Sequence, residues 1–151
     1  MPANTSPLFP LTPNVSGVQF GSTALTKSDG SAVTGIGTDI FKVFTAGTNG
    51  SFVEKIRISP EATTAATATS ATVHRIYVSS KTSGNTANTD TYLIQEIGAA
   101  AQTADHSTNA TFYFEIPLNI KLPANWTILV STHVVNAANT NWVAVVFGAD
   151  Y

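Results

Sequence analysis

The sequence predicts an all-β protein: an eight-stranded β-sandwich, jelly-roll-like, preceded by an extended proline-rich arm. Three observations carry that expectation. Short β-branched and aromatic runs recur along the chain, separated by clusters of Gly, Asn, Ser and Thr. No stretch holds a sustained helical period of apolar residues. The first residues, from Met1 to about Gln19, contain Pro2, Pro7, Pro10 and Pro13 and no charged side chain. Prolines at that density exclude helix and disfavour a central strand. Residues 1–19 are therefore read as the arm and residues 20–151 as one sandwich domain. Leu8, Phe9, Leu11 and Val15 are the apolar handles of the arm. Two readings of it stand side by side: a free tail, or a segment that orders on a neighbouring subunit.

The strands follow in order. Phe20 to Lys27 reads as a weak first strand, closed by the turn-forming Ser28-Asp29-Gly30-Ser31. Asp39 to Thr45 and Ser51 to Ser59 read as a paired hairpin, because Asn49-Gly50 supplies positive-φ positions for a tight connection. In the second run Phe52, Ile56 and Ile58 share one face. Glu54 breaks the alternation, and a bulge at Glu54-Lys55 would turn Val53 inward. Glu61 to Ala71 is rich in Ala but also in Thr, and follows Pro60, so it reads as an extended crossing rather than a helix. Thr72 to Ser80 is a strand with His74, Ile76 and Val78 inward, and Arg75 and Tyr77 outward. Lys81 to Asp90 is a polar loop and Thr91 to Ile97 the next strand. In Thr111 to Leu118, Phe112, Phe114, Ile116 and Leu118 face in, with Tyr113 and Glu115 out. Last come Thr127 to Val135 and Trp142 to Phe147, joined by polar Asn136 to Asn141, and these read as a second hairpin covered on both faces.

Composition limits what such a domain does. The chain has 151 residues, room for one domain with a proper core. Only 11% of residues are charged and the formal net charge is −2, with seven Lys and Arg in all. Nucleic acid and anionic membrane surfaces, which demand clustered cations, are not expected partners. A near-neutral surface of Thr, Ser and Asn suits a protein packed in an assembly, and equally a plain Thr-tolerant β domain. The chain lacks cysteine, so it has neither disulfides nor thiolate chemistry. MPANTSPLFP has no basic region and no apolar core, so the reading is a protein made in a cytoplasm without a signal peptide.

Catalysis and cofactors are not expected. His74, His106 and His133 stand in no metal-ligand spacing, although strands could bring His74 and His133 together, and the default is a strand histidine with satisfied hydrogen bonds. The carboxylates form no opposed pair, and neither a GxSxG elbow nor a phosphate loop occurs; Gly35-Ile36-Gly37 reads as turn residues. Tyr77, Tyr92, Tyr113, Trp126 and Trp142 could make a platform for sugar rings. Alternatively the two tryptophans cap the core, and Tyr77 and Tyr113, facing outward, serve a protein interface.

Two stretches carry a resemblance. FTAGTNGSFVEKIRI (Phe44 to Ile58), and Leu122 to Tyr151 with LPANWTILVSTH and the ending VVFGADY, resemble a group of small tailed-phage and prophage virion proteins. Gly47, Gly50, Ser51 and Val53 match the first block of that group. Leu122, Pro123, Trp126, Ser131, Thr132, His133, Gly148 and Asp150 match the second. The resemblance implies a non-enzymatic structural role on the capsid exterior, most simply a decoration protein made in the bacterial cytoplasm. Its partners would be the major capsid protein and neighbouring copies of itself, as a homotrimer, with Leu8, Phe9 and Leu11 docking. Removing the residues before Val18 would then abolish association and spare the body. The alternative is a carbohydrate- or receptor-binding module of a phage fibre or spike.

Overall fold

The computed structural model describes residues 9–21, 35–37, 39–62, 67–87, 89–104, 112–136 and 140–151. Among them there is no helix. The strands are β1 (Thr12–Phe20), β2 (Phe41–Thr45), β3 (Ser51–Ala62), β4 (Thr67–Ala68), β5 (Thr72–Ser79), β6 (Thr91–Ala99), β7 (Thr103–Ala104), β8 (Phe114–Leu122), β9 (Thr127–Thr132) and β10 (Thr140–Asp150). Eight of them make two four-stranded sheets, β1-β10-β3-β8 and β2-β9-β5-β6, while β4 and β7 form a small ribbon. All pairings within these sheets are antiparallel.

The core lies between the two sheets. Phe20, Val53, Ile56, Ile58, Trp142, Ala144 and Val146 come from the first sheet, and Val43, Phe44, Ile76, Ile128 and Val130 from the second. Period-2 alternation places these residues: on β10, Trp142, Ala144 and Val146 are fully buried, whereas Val143, Val145 and Phe147 are half-buried on the outer face. The expected bulge at Glu54 is present. Val53 and Lys55 take consecutive partners on β10, leaving Glu54 exposed and unpaired there, and Val53 is turned into the core.

The predicted pairing differs from the observed one. Thr127–Thr132 and Thr140–Asp150 are not a hairpin, because β9 is an inner strand of one sheet and β10 an inner strand of the other. Phe41–Thr45 and Ser51–Ala62 are likewise split between the sheets. A tight turn does occur, with Gly50 N–H donating to Gly47 O at 3.0 Å and Gly50 at φ +88°. It carries the chain across the sandwich rather than back along the same sheet. Among the described residues, β5 and β6 are the one pair of sequence-adjacent long strands that are hydrogen-bonded neighbours.

The first strand also lies upstream of its expected place. It is Thr12–Phe20, in the segment read as arm, while residues 22–27 of the expected strand lie outside the described residues. Proline is tolerated there because, among the described residues, β1 is an edge strand with only β10 beside it. The inward positions Asn14 and Ser16 are polar, which hides the alternation in the sequence. Their side chains donate to carbonyls of β2 in the facing sheet, Asn14 Nδ2 to Thr45 O at 3.3 Å and Ser16 Oγ to Val43 O at 2.5 Å. One side of the sandwich is thereby sewn shut.

Candidate interaction surfaces

The residues singled out from the sequence fall in different environments. Phe9 and Leu11 precede β1 and are 69% and 82% exposed, the two largest exposures among the described large apolar residues. Leu11 is fixed only through its backbone, whose N–H donates to Asp150 O at 2.8 Å. Leu8 lies outside the described residues. Tyr113 is 47% exposed at the entry to β8, and the Arg57 guanidinium stacks 4.0 Å from its ring centroid. Tyr77 is the correction. It occupies the outer face of its sheet as expected, yet is only 1% exposed. Leu129 on the neighbouring strand packs beside it and Ile36 and Ile40 cover it, Ile36 being held by its N–H donating to Gly84 O at 3.0 Å. The sequence signal was Ile36 and Ile40 flanking the Gly37 turn. Arg75, also expected outward, is buried on the same face and paired with Glu96 at 2.7 Å.

The outer face of the first sheet presents a row-by-row arrangement of partly exposed side chains. Cross-strand register aligns Val15, Phe147, Lys55 and Pro117 in one row and Gly17, Val145, Arg57 and Glu115 in the next. Val15 is 57% exposed. The Lys55 ammonium meets the Glu115 carboxylate at 2.6 Å, and this hydrogen bond holds Glu115 below the ordinary carboxylate value. An apolar stripe on β1 and β10 thus borders a charged margin on β3 and β8. Strand β6 is a different kind of edge. Tyr92, Leu93 and Ile94 are exposed there, but Ile94 is left unpaired where the register shifts against Ile76 and Tyr77. A bulge of that kind bends an edge strand and blunts the addition of another strand.

The aromatic platform is not assembled. Trp142 is fully buried in the core, and Trp126 packs against it from the side. Tyr92 and Tyr113 stand on different sheets. His74 departs from the expected satisfied strand histidine. It is fully buried, edge-on to Trp142 at 4.5 Å and Phe20 at 5.3 Å, and neither ring nitrogen has a partner. Burial lowers its pKa to about 4. His133 follows β9 and its N–H donates to Val73 O, so alternation sends its side chain to the face opposite His74. His106 lies outside the described residues.

The two sequence blocks that suggested a resemblance meet at one end of the sandwich. The Asp150 carboxylate accepts hydrogen bonds from Ser51 Oγ, from Asn14 Nδ2 at 3.0 Å and from the Gly47 N–H at 3.3 Å. Partial burial pulls the Asp150 pKa up, but these three donors outweigh it and hold the group below its ordinary value. Gly50 and Gly148 fit because a Cβ on either would stand 2.6 Å from a backbone oxygen, of Leu122 and Phe52 respectively. Of the motif residues, Gly47, Gly50, Ser51, Gly148 and Asp150 thus build, with Asn14, a clasp joining β1, β10 and the turn before β3. Beside the clasp, Asn49, Lys121, Leu122, Pro123 and Tyr151 line an open pocket of about 570 Å³. Comparison with protein families, with curated proteins and with solved structures finds no match to this chain.

Proposed function

We propose that this chain is a non-enzymatic virion structural protein that decorates a phage capsid. It grips the capsid and neighbouring copies through the segment that precedes β1 and through the outer face of the first sheet. One observation carries the reading: Phe9 and Leu11 are held out in solvent at the start of a strand anchored to the body. Isolated exposed apolar residues are common, but two at the root of an uncharged, proline-rich segment make a docking element. The strand order adds support. Long strands alternate between sheets except at β5 and β6, as two interlocked Greek keys require, and we take the fold to be a jelly roll, an architecture used by viral capsid domains. The assignment to phage rests on the resemblance of the Phe44–Ile58 and Leu122–Tyr151 blocks.

The structure changes how this is tested. Cutting before Val18 would strip most of β1 from the sheet, so the informative truncation removes residues 1–11 and leaves the β1–β10 pairing whole. Full-length protein added to capsids that lack it is expected to co-sediment with them. The truncated protein should keep its β-sheet circular dichroism and lose at least tenfold in occupancy. Equal occupancy by the truncated protein would remove the segment from the mechanism, and failure of the full-length protein to bind would sink the decoration role.

A further inference from the structure

We infer that the Phe9-Pro10-Leu11 segment of one copy docks in the Lys121-Leu122-Pro123-Tyr151 pocket of a second copy. This rests on the proposed docking role of the segment and names its acceptor. Position is the first argument. Leu11 is bonded to Asp150, the residue before Tyr151, and Ser51 pairs with both Asp150 and Leu122. The segment therefore leaves the sheet at the same end where the pocket opens, so one contact between copies engages both features.

The second argument is that the segment does not use its own pocket. Tyr151, Leu122 and Pro123 line it, whereas Phe9 and Leu11 stand exposed and contribute nothing to its wall. Extended, Phe9 to Leu11 reach at most roughly 11 Å from the Leu11 anchor, so the second copy must abut this end of the sandwich.

Chemistry is the third. The pocket offers an aromatic ring in Tyr151, an apolar floor in Leu122 and Pro123, and polar groups in Asn49 and Lys121. Its volume of about 570 Å³ lies within the ~300–1,000 Å³ range of sites that enclose small ligands. Proline-containing extended segments suit aromatic-lined grooves, since their fixed φ leaves less entropy to lose on docking. Lys121 meets no opposing positive charge, because the sequence from Met1 to Thr26 carries no charged side chain. Its ammonium, 5.9 Å from the Tyr151 ring centroid, is placed to take a backbone carbonyl of the incoming segment.

The natural absence of cysteine gives a clean test. Protein carrying Leu11→Cys is mixed with protein carrying Pro123→Cys under mild oxidation. The expected product is a disulfide heterodimer formed at least tenfold faster than with Thr82→Cys, on the exposed loop after β5, in place of Pro123→Cys. Adding Phe9→Asp to the Leu11→Cys chain is expected to suppress it. A rate no greater than the Thr82→Cys control, or one indifferent to Phe9→Asp, overturns the inference. The parent reading fails separately. If no cross-link forms while the truncation still loses capsid binding, the segment grips the capsid instead of a sister copy. If the cross-link forms while truncated protein decorates normally, the exchange stands and the capsid-docking role falls.

Discussion

Asp150→Ala is expected to destabilise the fold by about 3 kcal/mol, since it removes one acceptor from three donors; net contributions of hydrogen bonds to charged groups are roughly 1.5–3 kcal/mol each, and the partial exposure of Asp150 keeps the total at the low end. For a chain of this size that corresponds to a fall of roughly 6–12 °C in melting temperature. The effect is large because Asn14 belongs to β1 while Gly47 lies in the turn between β2 and β3 and Ser51 opens β3, and the carboxylate on β10 is their common acceptor. Asp150→Asn keeps one acceptor oxygen and should cost about half as much. Thermal unfolding followed by circular dichroism measures both. A loss below about 1 kcal/mol for the alanine variant would show that water substitutes for the carboxylate and that the clasp is not a stability element.

The second large effect is on acid stability. His74 titrates near 4 in the folded protein and near its ordinary 6.5 once unfolded. Between those values the unfolded chain binds the additional proton, so stability is full above pH 6.5 and declines as pH falls toward 4. The integrated loss is about 3 kcal/mol, at 1.36 kcal/mol per pH unit. Asp150 acts lower on the scale: its depressed pKa contributes stability above the ordinary Asp value, and that is lost as pH falls through the folded value. Replacing His74 with Phe is expected to remove the decline between pH 6.5 and 4. It should also raise stability at pH 7, because two buried nitrogens without partners are eliminated. Urea midpoints at pH 7 and pH 5 decide the matter. Identical pH dependence in wild type and His74→Phe would assign the acid loss to other groups.

Strand positions were largely legible in the sequence, and pairing was not. Seven long strands lie close to where apolar runs stand, and the break at Glu54 located its bulge. The reason the hairpins failed is physical. Phe44 and Val53 both point into the core, and a turn through Thr48-Asn49 serves them equally well whether the flanking strands share hydrogen bonds or face each other across the sandwich. Period-2 alternation reports which side chains are inside and is silent about which backbones are joined. The strand at Thr12–Phe20 was hidden because Asn14 and Ser16 point inward for hydrogen bonds rather than for burial. Alternation gives Tyr77 an outward face without saying that another segment covers it. The exposed Phe9 and Leu11 were identifiable, since apolar residues among prolines have no regular structure of their own to bury them. Of the motif blocks, the sequence showed the residues and not their mutual contact, which needs Ser51 and Asp150 side by side.

The alternation of strands between sheets determines when this chain can fold. Among the described residues strand β1 has β10 as its sole hydrogen-bonded neighbour, and Thr12 and Asp150 are opposite partners. Strand β1 therefore stays without this partner until β10 has been made, and among the described strands only β5–β6 can form as a local hairpin beforehand. At ~5–20 residues per second, synthesis leaves β1 without its β10 partner for several seconds or more. Contacts this distant along the chain also make folding slow relative to helical proteins of similar length. Truncations from the carboxyl end should accordingly yield aggregation rather than partial domains, and newly made copies spend their most vulnerable interval before any assembly surface exists.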